Sequence, residues 1–309
     1  MKRILLAFAA GAVLATSVAH AEKIGVSMSA FDDNFLTVVR NSMAADAAKQ
    51  QGVSVQFEDA QNDVGKQLNQ IQNFIAQKVD AIIVNPVDTD ATPKMTKLAS
   101  AAGIPLVYVN RMPSDKSLPP KVSFVGSNEV DSGTLEMTEV CRLMGGKGNI
   151  LVMIGDLANQ AARQRTQDIK DVIAKPPCNG IKIVDARSAN WQRTDAVDLM
   201  NNWLSAGLTF DAIVSNNDEM ALGAIQALKA AHKFQKGVIV AGVDATQDAL
   251  ASMKSGDLKV TVFQNGGAQG SDAVETALKL ARNQKVDSTV WIPFELVTPG
   301  NLPKFASRN

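Results

Sequence analysis

Short β-rich apolar runs alternate with helix-length amphipathic stretches along almost the whole chain. Ile24 to Met28, Val53 to Phe57, Ala81 to Val84, Pro105 to Val109 and a run near Phe124 read as strands. Helical patterns fall between them, at Phe35 to Gln51 (ended by Gly52), Val64 to Gln77, and Thr92 to Ala102 (ended by Gly103). The series then restarts. Thr134 to Met144 reads as a helix ended by Gly145-Gly146, followed by a strand from Asn149 to Ile154 and a helix to about Ala174. Further strands are expected near Ile181 to Val184, Ala212 to Ser215, Val238 to Val243 and Val260 to Phe263. Strand-helix-strand series of this kind build parallel sheets covered by helices on both faces. The predicted fold class is α/β, with two doubly wound parallel-sheet lobes.

The N-terminus has a different pattern. Met1-Lys2-Arg3 precedes an apolar run from Ile4 to about Ala15, and Ala19-His20-Ala21 follows. A charged start, a short apolar core and a small-x-small site make a secretory signal peptide, residues 1–21, cleaved after Ala21. The run is too short to span a bilayer comfortably. The expected product is a soluble protein exported to the periplasm. Its charge balance excludes one class of partner. The chain has 31 Lys+Arg and 31 Asp+Glu; losing Lys2 and Arg3 leaves 29 against 31, a net of −2. That balance argues against nucleic acid.

Two cysteines remain, Cys141 and Cys178. In an oxidising compartment the pair reads either as one disulfide or as two separately buried thiols. No CxxC occurs and one of the two histidines lies in the signal peptide, so no metal or cofactor is expected.

In doubly wound sheets, ligands bind outside the carboxyl ends of the strands. Polar and aromatic residues recur at those places. Asp32, Asp33, Asn34 and Phe35 follow the first strand, and Asn110 and Arg111 the fourth. In the second half come Arg163 and Arg165, Asn190 and Trp191, Asn216-Asn217-Asp218, Asp244 and Gln264. Arg163 reads as a solvated helix residue and Trp203 as a core aromatic. Asn62, Asp63, Asp88 and Asp90 read as helix caps or loop-shaping residues.

Four strings resemble a known family: Asp59-Ala60-Gln61-Asn62-Asp63, Val84-Asn85-Pro86-Val87-Asp88, Asn216 through Ala224, and Ala241-Gly242-Val243-Asp244-Ala245-Thr246. With them the chain resembles periplasmic sugar-binding proteins of the ribose and inositol group, the capture subunits of ABC importers, over residues 23 to 298. Sensor cores of lactose-repressor-type regulators share these features but carry a helix-turn-helix where this chain has its signal peptide. The resemblance implies a type I periplasmic binding fold with a ligand cleft between lobes and a three-segment hinge near Val130, Asn265 and Phe294. The N-terminal lobe would be 22–130 plus 265–293, and the C-terminal lobe 131–264 plus 294–309. It also implies the ligand residues Asp33, Phe35, Asn110, Arg111, Arg165, Trp191, Asn217, Asp244 and Gln264. The implied partners are a small cyclic polyol or sugar and the membrane permease of an ABC importer, with a chemoreceptor as an alternative receiver. A monomer is expected.

Departures sharpen the reading. Ribose binders carry Asp where this chain has Asn110, Asn where it has Asp33, and a second Phe where it has Leu36. The pattern resembles inositol- and rhizopine-type binders more closely. The chemistry suits a polyol, whose C–H faces stack on aromatic rings and whose hydroxyls suit guanidinium forks and carboxylates. An exported sugar-acting enzyme would need an acid–base pair. Asp33 and Asp244 are expected beside arginines, which would lower their pKa values and spoil an acid. No enzyme is expected.

Overall fold

The computed structural model describes residues 21–234 and 237–308. The signal peptide reading falls on residues 1–20, outside the described residues, and on Ala21. The first half runs β1 (Glu22–Met28), α1 (Asn34–Lys49), β2 (Val53–Asp59), α2 (Val64–Ala76), β3 (Ala81–Val84), α3 (Thr92–Ala101), β4 (Leu106–Val109) and β5 (Val122–Gly126). The second runs α4 (Glu129–Met144), β6 (Lys147–Ile154), α5 (Gln160–Ile173), β7 (Gly180–Ser188), α6 (Arg193–Ser205), β8 (Ala212–Ser215), α7 (Asp218–Ala230), β9 (Ile239–Ala241), α8 (Gln247–Lys254) and β10 (Thr261–Phe263). The chain ends with α9 (Gly266–Ala281), β11 (Thr289–Trp291) and β12 (Glu295–Val297).

The strands form a parallel sheet in the order β11-β5-β4-β3-β1-β2 and a second parallel sheet in the order β7-β6-β8-β9. β10 pairs antiparallel with β12 and touches the second sheet through single parallel bridges at Ala241–Val260 and Asp244–Phe263. The fold class is α/β with two lobes. The chain changes sheet between β5 and β6, between β10 and β11, and between β11 and β12.

Side-chain alternation divides each core. Ile83, Val107 and Val109 face α1 and α9, while Ile82, Val84, Leu106 and Tyr108 face α2 and α3. In the second sheet Leu151, Met153 and Ile213 pack in one core, and Ile150, Val152, Ala212 and Val214 in the other. Trp203, 2% exposed, is the core aromatic expected, with its Nε1 donating to Asp185 at 2.7 Å.

Most element bounds match the sequence reading within a few residues, but α4 begins at Glu129 rather than Thr134. Gly133, inside α4, serves the packing of the helix. A Cβ at Gly133 would lie 2.7 Å from the Arg165 carbonyl oxygen, so only glycine lets α4 approach α5 this closely.

Cys141 on α4 and Cys178 ahead of β7 form a disulfide across 37 residues. Closing a loop of that length restricts the unfolded chain, and reduction should cost about 2–4 kcal/mol. Urea unfolding with and without reductant checks this; an unchanged midpoint contradicts it.

Candidate functional site

A cavity lies between the lobes at the carboxyl ends of the strands. Asp33, Phe35, Asn110, Arg111, Arg165, Trp191, Asn217, Asp244 and Gln264 all line it, joined by Leu36, Glu129 and Ala161.

From the first lobe, Asp33 caps α1 by accepting from the Leu36 amide at 2.8 Å, which points Phe35 out of the first turn into the cavity. Asn110 follows β4 with φ +66°, and Arg111 comes next, donating from Nη1 to the Pro86 carbonyl at 2.8 Å. The Asn110 side chain donates to Gln269 and accepts from Asn85, each at 3.2 Å, which fixes its orientation.

From the second lobe, Arg165 on α5 is 3% exposed and has most of its donors engaged. Nε and Nη2 grip Glu129 at 2.7 and 3.1 Å, Nη1 reaches the Asn216 carbonyl at 2.6 Å, and Nη2 also reaches Gln264 at 3.3 Å. Its guanidinium carbon lies 5.7 Å from the Trp191 ring centre and 5.8 Å from that of Phe294. Trp191 follows β7 with φ +68°, and its ring rests on Gly155, where any Cβ would sit 2.3 Å from the indole. Asn217 caps α7 by accepting from the Met220 amide at 3.0 Å and donates to the Trp191 carbonyl at 3.2 Å. Asp244 has φ +123°. Left-handed backbone at a bulky residue costs about 1–3 kcal/mol, and cavity-lining positions are where such strain is retained.

Burial dominates the electrostatics. It pushes the Asp33 carboxyl above the usual carboxylate range despite its backbone hydrogen bond and Arg111 nearby. It lifts Asp244 well above that range, with Arg165 only partly opposing. The expectation that neighbouring arginines would lower these carboxyls is therefore overturned, because desolvation outweighs the attraction. Burial also lowers Arg111, against the pull of Asp33 and Asp156. For Arg165 burial acts downward too, but the bidentate Glu129 pair more than reverses it.

Sequence reasoning missed Glu129. It lies just beyond the end of β5, where the strand-end rule applies, but the late start assigned to α4 hid it. Arg163 is the exposed helix residue expected, and it also donates across the cleft to Asp90 at 3.2 Å and Thr89 at 3.3 Å. The lobes also meet where the Thr89 amide donates to the Ala158 carbonyl at 3.1 Å, and where Asn34 donates to Glu219 at 2.8 Å.

Two parallel-sheet lobes with one cavity lined from both define a two-lobed ligand-trapping protein. The chain belongs to the periplasmic binding protein family: that family's domain model matches residues 24–285. It is 57% identical over all of both chains to a Rhizobium meliloti protein described as a candidate rhizopine-binding protein. A Bacillus halodurans ABC transporter solute-binding protein, solved with bound myo-inositol, superposes with a TM-score of 0.89 at 42% identity, covering 95% of this chain and 100% of that one. The Caulobacter myo-inositol binding protein, solved with myo-inositol, gives 0.87 at 30% identity, covering 94% and 97%. Family membership makes this a solute-binding protein rather than an enzyme.

Glu129 and Arg165 are almost wholly buried, with side chains 3% and 4% exposed. Glu129→Ala strands a buried cation and should cost about 3–5 kcal/mol; a loss below about 1 kcal/mol in urea unfolding contradicts the pairing. On α5, Asp168 is 2% exposed, accepts from Gln164 at 2.7 Å through one oxygen, and has no hydrogen-bond partner for Oδ2 among the described residues. Burial pushes its carboxyl from 3.8 up to about 7. Between those values the folded state holds the extra proton, so this group's contribution falls as pH rises through the window. Asp168→Asn should therefore raise the melting temperature at pH 8, with the gain shrinking toward pH 4. An equal gain at both pH values contradicts the shift.

Proposed function

We propose that the protein captures a cyclic polyol, an inositol in the first instance, and delivers it to the permease of an ABC importer. The observation that carries this reading is the lining of a single small cavity. Phe35 from one lobe and Trp191 from the other offer ring faces for the C–H faces of a saturated ring. Arg111 and Asp33 on one side, and Arg165, Asp244, Asn217 and Gln264 on the other, offer donors and acceptors for its hydroxyls. A site matched to each hydroxyl rejects an analogue that lacks one, because its own polar groups are then left unpaired. The inositol-bound relatives support the choice of ring.

Capture proceeds by hinge closure. The lobes are 22–130 plus 265–293 and 131–264 plus 294–309, turning on the segments near Val130, Asn265 and Phe294. Residues 1–21 act as the signal peptide and deliver the chain to the periplasm.

A thermal-shift panel tests the reading, with myo-inositol and its isomers, an amino-inositol, ribose, xylose, galactose and glucose. A ligand at 100 times its Kd adds about 2.7 kcal/mol of stability. A selective shift with an inositol is the expected result. A shift with an aldose alone discards the inositol, and no shift from protein freed of carried-over ligand discards polyol capture. Trp191→Ala should weaken binding of the responding ligand at least ~10-fold, about 1.4 kcal/mol, through loss of a ring face. Unchanged affinity by calorimetry removes Trp191 from the site.

A further inference from the structure

Asn159 holds the N-cap position of α5, the helix that carries Arg165, yet its side chain makes no capping hydrogen bond. An Asn at this position ordinarily accepts from an amide of the first turn. Instead its two polar atoms face different lobes. Oδ1 accepts from the Trp191 indole Nε1 at 2.8 Å, and Nδ2 donates to the Val87 carbonyl at 2.8 Å. Val87 lies just beyond β3 of the six-stranded sheet, across the cleft from α5. Asn159 is fully buried. A buried amide satisfied at both ends is fixed in orientation, because turning it over would set donor against donor and acceptor against acceptor.

We infer that Asn159 is a positioning residue that couples the orientation of the Trp191 ring to closure of the lobes. The inference rests on the ligand reading of Trp191 given above. When the lobes part, Nδ2 loses the Val87 carbonyl and the amide is free to turn, which releases the indole. When they meet, the amide is locked and the indole is held in line with the cavity. The surrounding contacts fit this role. The Thr89 hydroxyl accepts from the Gln160 amide at 3.1 Å, and the Thr89 amide donates to the Ala158 carbonyl at 3.1 Å, so the residues on both sides of Asn159 also bridge the cleft. Ring orientation and closure thus share one hydrogen-bonded relay, and each stabilises the other.

The test is a double-mutant cycle on the full mature protein with myo-inositol, plus a measurement that needs no ligand. Asn159→Ala should speed ligand dissociation at least tenfold. Trp191→Phe removes the indole donor and keeps a ring, and its cost in affinity should be at least threefold smaller in the Asn159→Ala background than in the parent. Separately, cysteines placed at Asp90 and Arg163 report transient closure of the free protein through a short bismaleimide. Adding Asn159→Ala should slow that cross-linking at least threefold. Equal costs of Trp191→Phe in both backgrounds, or equal cross-linking rates, overturn the relay. If the alanine variant does not fold, Asn159→Ser takes its place. Should the parent bind no polyol, the ligand reading fails, and the cross-linking rates decide the closure half of the relay.

Discussion

Arg165 lies against all three stretches of chain that link strands of different sheets. Glu129, between β5 and β6, grips it with two oxygens; Gln264, between β10 and β11, accepts from it; and the Phe294 ring, between β11 and β12, lies 5.8 Å away. A buried guanidinium is tolerable only when its charge is paired and its donors are satisfied. This one is paired, and most of its donors are engaged, by groups that largely belong to those linking stretches, so the stretches are drawn together by the charge they neutralise. Gly133 makes the arrangement possible, because only a bare α-carbon lets α4 bring Glu129 up to α5.

From that centre the cavity follows. β1 and β4 deliver Asp33, Phe35, Asn110 and Arg111 from one sheet, and β7, β8 and β9 deliver Trp191, Asn217 and Asp244 from the other. Both sheets aim their carboxyl ends at the same gap, as expected at topological switch points. The price is local. Trp191 and Asp244 occupy left-handed backbone, and the Asp33, Asp244 and Asp168 carboxyls rest above their usual range because burial outweighs their partners. A cavity preloaded with oriented, desolvated polar groups leaves few groups to be ordered when a ring of hydroxyls enters.

Much of this was legible in the sequence, for a physical reason. Parallel strands covered on both faces must be apolar throughout, so Ala81 to Val84 and Ala212 to Ser215 stood out with the bounds they have in the structure. The loops after strands carry little packing burden, so polar and aromatic residues recurring there pointed to the cavity. What stayed hidden depended on distance or burial. Glu129 was obscured because the helical pattern reads only from Thr134 onward, and Asn128 at the N-cap of α4 makes no side-chain capping bond. Arg163 is exposed as expected, but its partners Thr89 and Asp90 lie far away along the chain, so its reach across the cleft was not legible. The direction of the Asp33 and Asp244 shifts turned on desolvation, which residue identity alone does not reveal.

A crystal structure of the mature protein with myo-inositol is the decisive measurement for the proposal that both lobes grip one cyclic polyol around Arg165. The ring is expected between Phe35 and Trp191, with hydroxyls in hydrogen-bond reach of Arg111 and Arg165. An inositol lodged outside this cavity, or touching residues of one lobe alone, would overturn that proposal.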